Sequence, residues 1–206
     1  MTSNRYARPG QPRVVPVAED SPLITERFAD RPGSVLNVSR TIANNSGVFE
    51  PWSALARYLA LDGILPSRER EIVILRVGWR ARSIYEFGQH TKFGRRAGLT
   101  EAEIAALAGE IRGGPWSEGE MALLQMVDEL VDDDCVSDGT WERLSRRWSP
   151  SELVELVLLT GFTGWCRRAS TRSASSWKKA SRGGLAPSDA AESVLFTAVE
   201  FLGSDQ

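Results

Sequence analysis

Cysteine and histidine are scarce. Cys135 and Cys166 are the two cysteines in 206 residues; they make no disulfide framework, and neither belongs to a C-x-x-C pair, so no motif supports thiol redox chemistry. His90 is the only histidine. One histidine with carboxylates, without HExxH or a Cys/His cluster, is a weak metal set, so neither a metal nor a cofactor is expected. No apolar run is long enough to cross a bilayer. The opening MTSNRYARPGQPRVVPVAED lacks the apolar core of a secretory signal. The expected compartment is the reducing cytoplasm, with no membrane partner. Strong charge of one sign is missing too: a net charge of -2 gives no electrostatic footprint for nucleic acid.

Helix punctuation is frequent, and strand signals are few. A helical pattern starts at Ser67 and runs to Arg82, with Ile72, Leu75, Val77 and Trp79 among its apolar positions. A second runs from about Ser83 to Ala97, where Gly98 is a stop signal. Thr100 with Glu103, Ser117 with Glu120, and Ser149 with Glu152 are three capping boxes. In each, two side chains satisfy backbone N–H groups that a first helical turn leaves unpaired. Leu123, Leu124, Val127, Leu130 and Val131 keep the spacing of a buried stripe, and Trp141, Leu144 and Trp148 mark a shorter helix. Upstream, SVLNVSRTIANN and VFEPWSALARYLAL read as two helices broken by Asn44, Asn45 and Gly47. Runs such as EIVIL suit a strand on propensity alone, but their length and caps favour helix. The expected architecture is an all-α bundle. Its divisions are a flexible arm over 1–32, a helical domain over 33–163 and a basic, Ser-rich tail over 164–206 with a terminal helix.

One constellation suits chemistry. Ser83 and Glu86 precede His90 by seven and four residues, so the three share a face if the segment is helical. Glu71 lies one helix earlier, where an antiparallel return brings it to the same pocket. A carboxylate beside an imidazole favours the protonated ring and orients it for acid–base work near neutral pH. Glu and His at this spacing also occur on solvated faces, and Ser83 has no GxSxG elbow around it.

These residues carry a family resemblance. The stretch LPSREREIVILRVGWRARSIYEFGQHTKFGRRAGLTEAEIAAL, with its Tyr-Glu-aromatic-x-x-His core, resembles the carboxymuconolactone decarboxylase family, also called AhpD-like. The likeness spans residues 34 to 162 or thereabouts. It implies an AhpD-like helical bundle and a homo-oligomer, trimer or hexamer, with a small-molecule substrate. In the family's peroxidase branch a Glu, two Cys and a His form a proton relay with a redox dithiol. Glu71 and His90 match the Glu and His, but Ser83 and Glu86 stand at the cysteine positions. A hydroxyl and a carboxylate cannot exchange a disulfide, so the chain resembles a non-thiol branch. The decarboxylase branch, similar around Tyr85, Glu86 and His90, converts a carboxylated muconolactone to an enol-lactone with loss of carbon dioxide. The resemblance implies a carbon–carbon lyase, or proton transfer on a small organic acid, lactone or ketone. His90 would be the acid/base, set by Glu86 or Glu71. Ser83, Tyr85, Arg76 and Arg40 complete the candidate set, Arg76 or Arg40 as a bidentate fork for a substrate carboxylate. Tyr85 and Trp79 also suit packing, and each Arg suits a surface ion pair. The alternatives are a peroxidase-like antioxidant protein with another reductant, and a non-catalytic oligomeric ligand-binding protein.

The match stops after Phe162. Relatives continue with an apolar helix resembling Tyr-Arg-Met-Val-Ser…Leu-Asn-Ser-Val-Gly-Val…Leu-Glu-Glu, whereas this chain reads TGWCRRASTRSASSWKKASRGG. One added base near codon 163 turns Thr-Gly-Trp-Cys-Arg into Tyr-Arg-Met-Val-Ser. The same shift, with suitable wobble bases, recovers the two later segments. A one-base frameshift in the gene or its sequencing is the expectation. The basic stretch reads as a solvated tail rather than an RNA or membrane site. Asp189 with Glu192 caps an expected last helix bearing Val194, Leu195, Ala198, Phe201 and Leu202.

Overall fold

The computed structural model describes residues 14–29 and 35–169. Among them there is helix and no strand, as the caps and periodicity predict, and EIVIL lies inside a helix. The expected basic tail beyond residue 169 and the helix capped by Asp189 and Glu192 lie outside the described residues, as does half of the N-terminal arm.

The described residues divide into two compact units, one ending at Ala56 and one spanning Arg57–Arg168. The first holds α1 (Pro22–Arg27), α2 (Asn37–Ile42) and α3 (Ser46–Arg57, ending at the boundary). The stretch assigned to a flexible arm therefore contains a helix. Its Ile24 is buried with Ile42, Ala43 and Phe49, an anchor too apolar to leave in water. Phe49 stacks on Trp52 with ring centroids 6.1 Å apart. Gly47, read as a break, lies inside the first turn of α3; the cap is Asn45, whose Oδ1 accepts from Val48 N at 3.2 Å.

The second unit opens with a π-helical turn, Tyr58–Asp62. It continues through α4 (Ser67–Arg80), α5 (Ile84–Arg96), α6 (Glu101–Leu107), α7 (Glu118–Asp133), α8 (Asp138–Ser145) and α9 (Pro150–Ala169). Ile72 and Leu75 of α4 pack with Leu99, Ile104, Leu107, Ile111 and Leu124. All three predicted capping boxes form: Glu103 and Glu120 reach back to Thr100 N and Ser117 N, and Glu152 to Ser149 N at 2.7 Å. The α7 stripe is shifted from its expected line: Ala122, Leu123, Leu124, Met126 and Val127 are buried, while Val131 is exposed near the helix end. The expected domain boundary after residue 163 falls within α9, which runs on through Ala169.

Candidate functional site

The site is built by the α4–α5 hairpin. α4 ends in a Schellman arrangement: Ser83 N donates to Gly78 O at 2.8 Å and Arg82 N to Trp79 O at 2.8 Å. Arg82 takes the left-handed conformation (φ 53°) that this arrangement demands. The next residue, Ser83, is already the N-cap of α5, its hydroxyl accepting from Glu86 N at 3.3 Å. One residue thus closes one helix and opens the next. A Cβ on Gly78 would stand 3.3 Å from Phe87 N and 3.5 Å from Glu86 Cβ, so the glycine lets the two backbones approach closely.

This turn fixes the register of the two helices. Gly78 and Ser83 face each other across it; Glu71 lies two helical turns before Gly78, and His90 two turns after Ser83. Running antiparallel from the hinge, the two side chains meet. Glu71 Oε2 stands 2.7 Å from His90 Nδ1, with the Glu71 side chain 5 % exposed and that of His90 23 % exposed. The other ring nitrogen, Nε2, faces Glu86 Oε1 at 3.6 Å, beyond hydrogen-bond distance. Between the two candidate partners left open by the sequence, Glu71 is the one in direct contact. Phe93 leans on the His90 ring, with centroids 5.4 Å apart.

Burial pulls the imidazole pKa down, but the Glu71 hydrogen bond and the charges of Glu71 and Glu86 outweigh it. His90 therefore sits above the ordinary 6.5. Burial pushes the Glu86 carboxyl above its ordinary range; the nearby Glu71 adds to this, and His90 opposes it. The result is an imidazole held in the charged form by a buried carboxylate, beside a second carboxyl held toward neutrality.

Other predicted residues are placed differently. Ser83 is buried and serves as the α5 cap rather than lining the His90 face. Arg76 corrects the substrate-fork expectation. It is 3 % exposed, its fork is closed on Asp128 at 2.7 and 2.6 Å, and its remaining Nη1 donates to Leu107 O and Gly109 O. Turning it to a substrate would take both of these hydrogen bonds from the partly buried Asp128 and leave it Arg80 Nε, 3.6 Å from Oδ1. Arg40 belongs to the first unit, where it donates to Val17 O at 2.7 Å and Glu19 at 2.7 Å. Tyr85 lies on α5, but its side chain is outside the described ones. Trp79 packs edge-on against Phe87 at 6.1 Å, in line with a packing role. The cation that does stand at the site is Arg70, its Nε 3.6 Å from Glu71 Oε1. Its signal in the sequence was adjacency to Glu71, which the helical-face argument passed over. Among the described residues no three His, Cys, Asp or Glu side chains are grouped to hold a metal.

Fold and site together define a protein whose described residues are helical and whose α4–α5 hairpin holds a carboxylate-braced imidazole. The profile of the carboxymuconolactone decarboxylase family matches residues 47–129 of this chain. No curated protein matches the chain. Among solved structures, a protein of unknown function from Agrobacterium tumefaciens, suggested to be an antioxidant defence protein AhpD, shares 25% identity at a TM-score of 0.55, over 62% of this chain and 88% of that one. An uncharacterized peroxidase-related protein from Silicibacter sp. TM1040 shares 18% identity at a TM-score of 0.64, over 96% of this chain and 97% of the other. The debrominase Bmp8 in complex with 2,3,4-tribromopyrrole shares 14% at 0.64, over 80% and 91%. The last two likenesses bear on the fold alone. The neighbours are AhpD-like helical proteins, and the AhpD-like bundle expected from the sequence is the fold observed.

Proposed function

We propose that this chain is a non-thiol acid–base enzyme of the decarboxylase type, acting on a small organic acid, lactone or ketone. The observation that carries the reading is the 2.7 Å contact between Glu71 Oε2 and His90 Nδ1. With Nδ1 held, Nε2 is the atom left to exchange a proton with a bound molecule. As the carbon–carbon bond to the leaving carboxylate breaks, its electron pair moves into the conjugated carbonyl as an enolate. His90 Nε2–H then gives its proton to carbon, and the neutral ring takes one back from water. Arg70, rather than Arg76 or Arg40, is placed to offset the negative charge of an acid substrate. Glu86, held toward its neutral form, repels that charge less than an ordinary carboxylate would. Peroxidase chemistry of the dithiol kind lacks its two sulfurs at this site. Cys135 and Cys166, elsewhere in the chain, are not joined in a disulfide, which suits a reducing compartment such as the cytoplasm.

The test is ultraviolet-monitored turnover of γ-carboxymuconolactone by the purified chain, with His90→Ala beside it. The expected result is turnover that falls by about 100-fold or more in the variant. Equal turnover in both would remove His90 from the reaction. No turnover in either would overturn this lactone as the substrate and move the assignment to another carbonyl acid or to a non-catalytic ligand-binding protein.

A further inference from the structure

Four helices of the second unit carry a glutamate three residues after a Ser or Thr cap: Ser83 with Glu86, Thr100 with Glu103, Ser117 with Glu120 and Ser149 with Glu152. Glu103, Glu120 and Glu152 turn back to the N–H of their own cap residue, at 2.7, 2.9 and 2.7 Å. Glu86 does not, because Ser83 N already donates to Gly78 O at 2.8 Å where α4 ends. The hinge between the helices thus removes the partner that a glutamate at this position ordinarily finds. Among the described residues the Glu86 carboxyl accepts no hydrogen bond, and its one basic neighbour is His90 Nε2 at 3.6 Å. The charge follows the contacts. Arg68 draws Glu103 below the ordinary carboxylate range, and Ser149 does the same to Glu152. Burial carries Glu86 above that range, opposed by His90 and helped by Glu71.

His90 Nε2 and Glu86 Oε1 are too far apart to bond each other and close enough to serve two neighbouring atoms of one bound molecule. A carbonyl oxygen and the carbon next to that carbonyl are about 2.4 Å apart. We propose that Glu86 is a second proton donor at this site, serving the oxygen of the enolate while His90 serves its carbon. This rests on the acid–base reading given above. The carbon–carbon bond breaks and its electron pair moves into the carbonyl. The Glu86 O–H bond breaks in turn, and its proton goes to the oxygen, leaving an enol and the Glu86 carboxylate. His90 Nε2–H then gives its proton to the carbon. The enol returns its proton to Glu86 as the carbonyl re-forms, and the neutral imidazole takes one from water. The sum is one proton taken up and one carbon dioxide released. The other charged groups that face the pair, Glu71 and Arg70, both belong to α4. The substrate class narrows accordingly, to acids whose leaving electron pair ends on a carbonyl oxygen.

Turnover of γ-carboxymuconolactone against pH tests it, in the full chain and in Glu86→Ala and Glu86→Gln of unchanged helical circular dichroism. Glu86→Ala should lower kcat by about 100-fold with KM little changed. Glu86→Gln, which can donate a hydrogen bond but has no proton to give, should recover part of that loss. The alkaline fall of kcat, set in the wild type by loss of the Glu86 proton, should move to higher pH in Glu86→Gln. A Glu86→Ala variant with wild-type kcat overturns the proposal and leaves the acid–base reading standing. An inactive wild type instead fails that reading, and the proton step with it. Infrared difference spectra in mildly acidic buffer decide without substrate. The wild type should show the carbonyl stretch of a protonated carboxyl that both variants lose. Its absence would mean that Glu86 is ionised and has no proton to give, which overturns the proposal whatever the turnover.

Discussion

At the scale of single residues the Glu71–His90 contact carries the proposed function, and its charge can be tested directly. Glu71→Gln keeps the hydrogen bond and removes the anion. The His90 pKa, raised above 6.5 in the native chain, should fall toward the ordinary range. His90 is the only histidine, so one imidazole resonance followed by NMR from pH 5 to 9 reads this without assignment. An unchanged titration would show that Glu71 does not hold the ring's charge. A raised folded pKa means that the folded state binds the proton more tightly than the unfolded chain. The stabilisation it brings is full below about 6.5 and is lost as pH rises through the folded value. Stability of Glu71→Gln should therefore depend less on pH in that window. That Glu71 and His90 share a pocket was legible from two helices joined by a short return; which of Glu71 and Glu86 touches the ring was not, because that depends on the exact register across the hinge. The role of Arg76 was not legible: its partner, Asp128, is 52 positions away in sequence, and nothing local distinguishes a fork closed on Asp128 from one open to a substrate.

Helices and their ends were the most legible elements, because a cap is written within four residues of sequence. The limits lie where tertiary packing overrides local signals, as with Ile24 anchoring a helix in a Pro- and Arg-rich arm, and Gly47 inside a first turn. The hairpin between α4 and α5 shows a cost that the sequence does not announce. Arg82 occupies the left-handed position usually given to glycine, and its side chain is exposed. Arg82→Gly should relieve about 1 kcal/mol of backbone strain, net of glycine's extra freedom in the unfolded chain. That corresponds to a thermal midpoint roughly 2–4 °C higher. The His90 titration should stay in place, because the hinge hydrogen bonds are made by backbone. A lower midpoint would mean that the Arg82 side chain contributes more than its conformation costs.

At the scale of the whole second unit, Arg68 is the residue that joins most parts. From the first turn of α4 it reaches Glu103 at 2.5 Å, Glu120 at 2.8 Å and Gly98 O at 3.1 Å. It thereby joins the start of α4 to the end of α5 and to the capping boxes that open α6 and α7. The sequence showed each box alone; that one guanidinium binds both glutamates follows only from packing. The Arg68 hydrogen bond leads the causes that hold the Glu103 carboxyl at about 2, against burial, which raises it. Glu120 is also lowered: burial works against this, but its Ser117 hydrogen bonds and Arg68 prevail. A carboxylate with a depressed folded pKa stabilises the fold above its unfolded value, near 4.5, and that contribution disappears as pH falls toward 2. Arg68→Met keeps much of the aliphatic stem and both capping boxes but removes the charge. At pH 7 it should cost about 2 kcal/mol, less than breaking a fully buried pair because Arg68 is 29 % exposed. Chemical denaturation at steps from pH 7 to 2 should show the wild-type and variant stabilities converging below pH 4.5, as the glutamates take up protons and Arg68 loses its partners. A gap of constant size down to pH 2 would assign the loss to packing of the Arg68 stem, and the joint between the helices would then be steric rather than ionic.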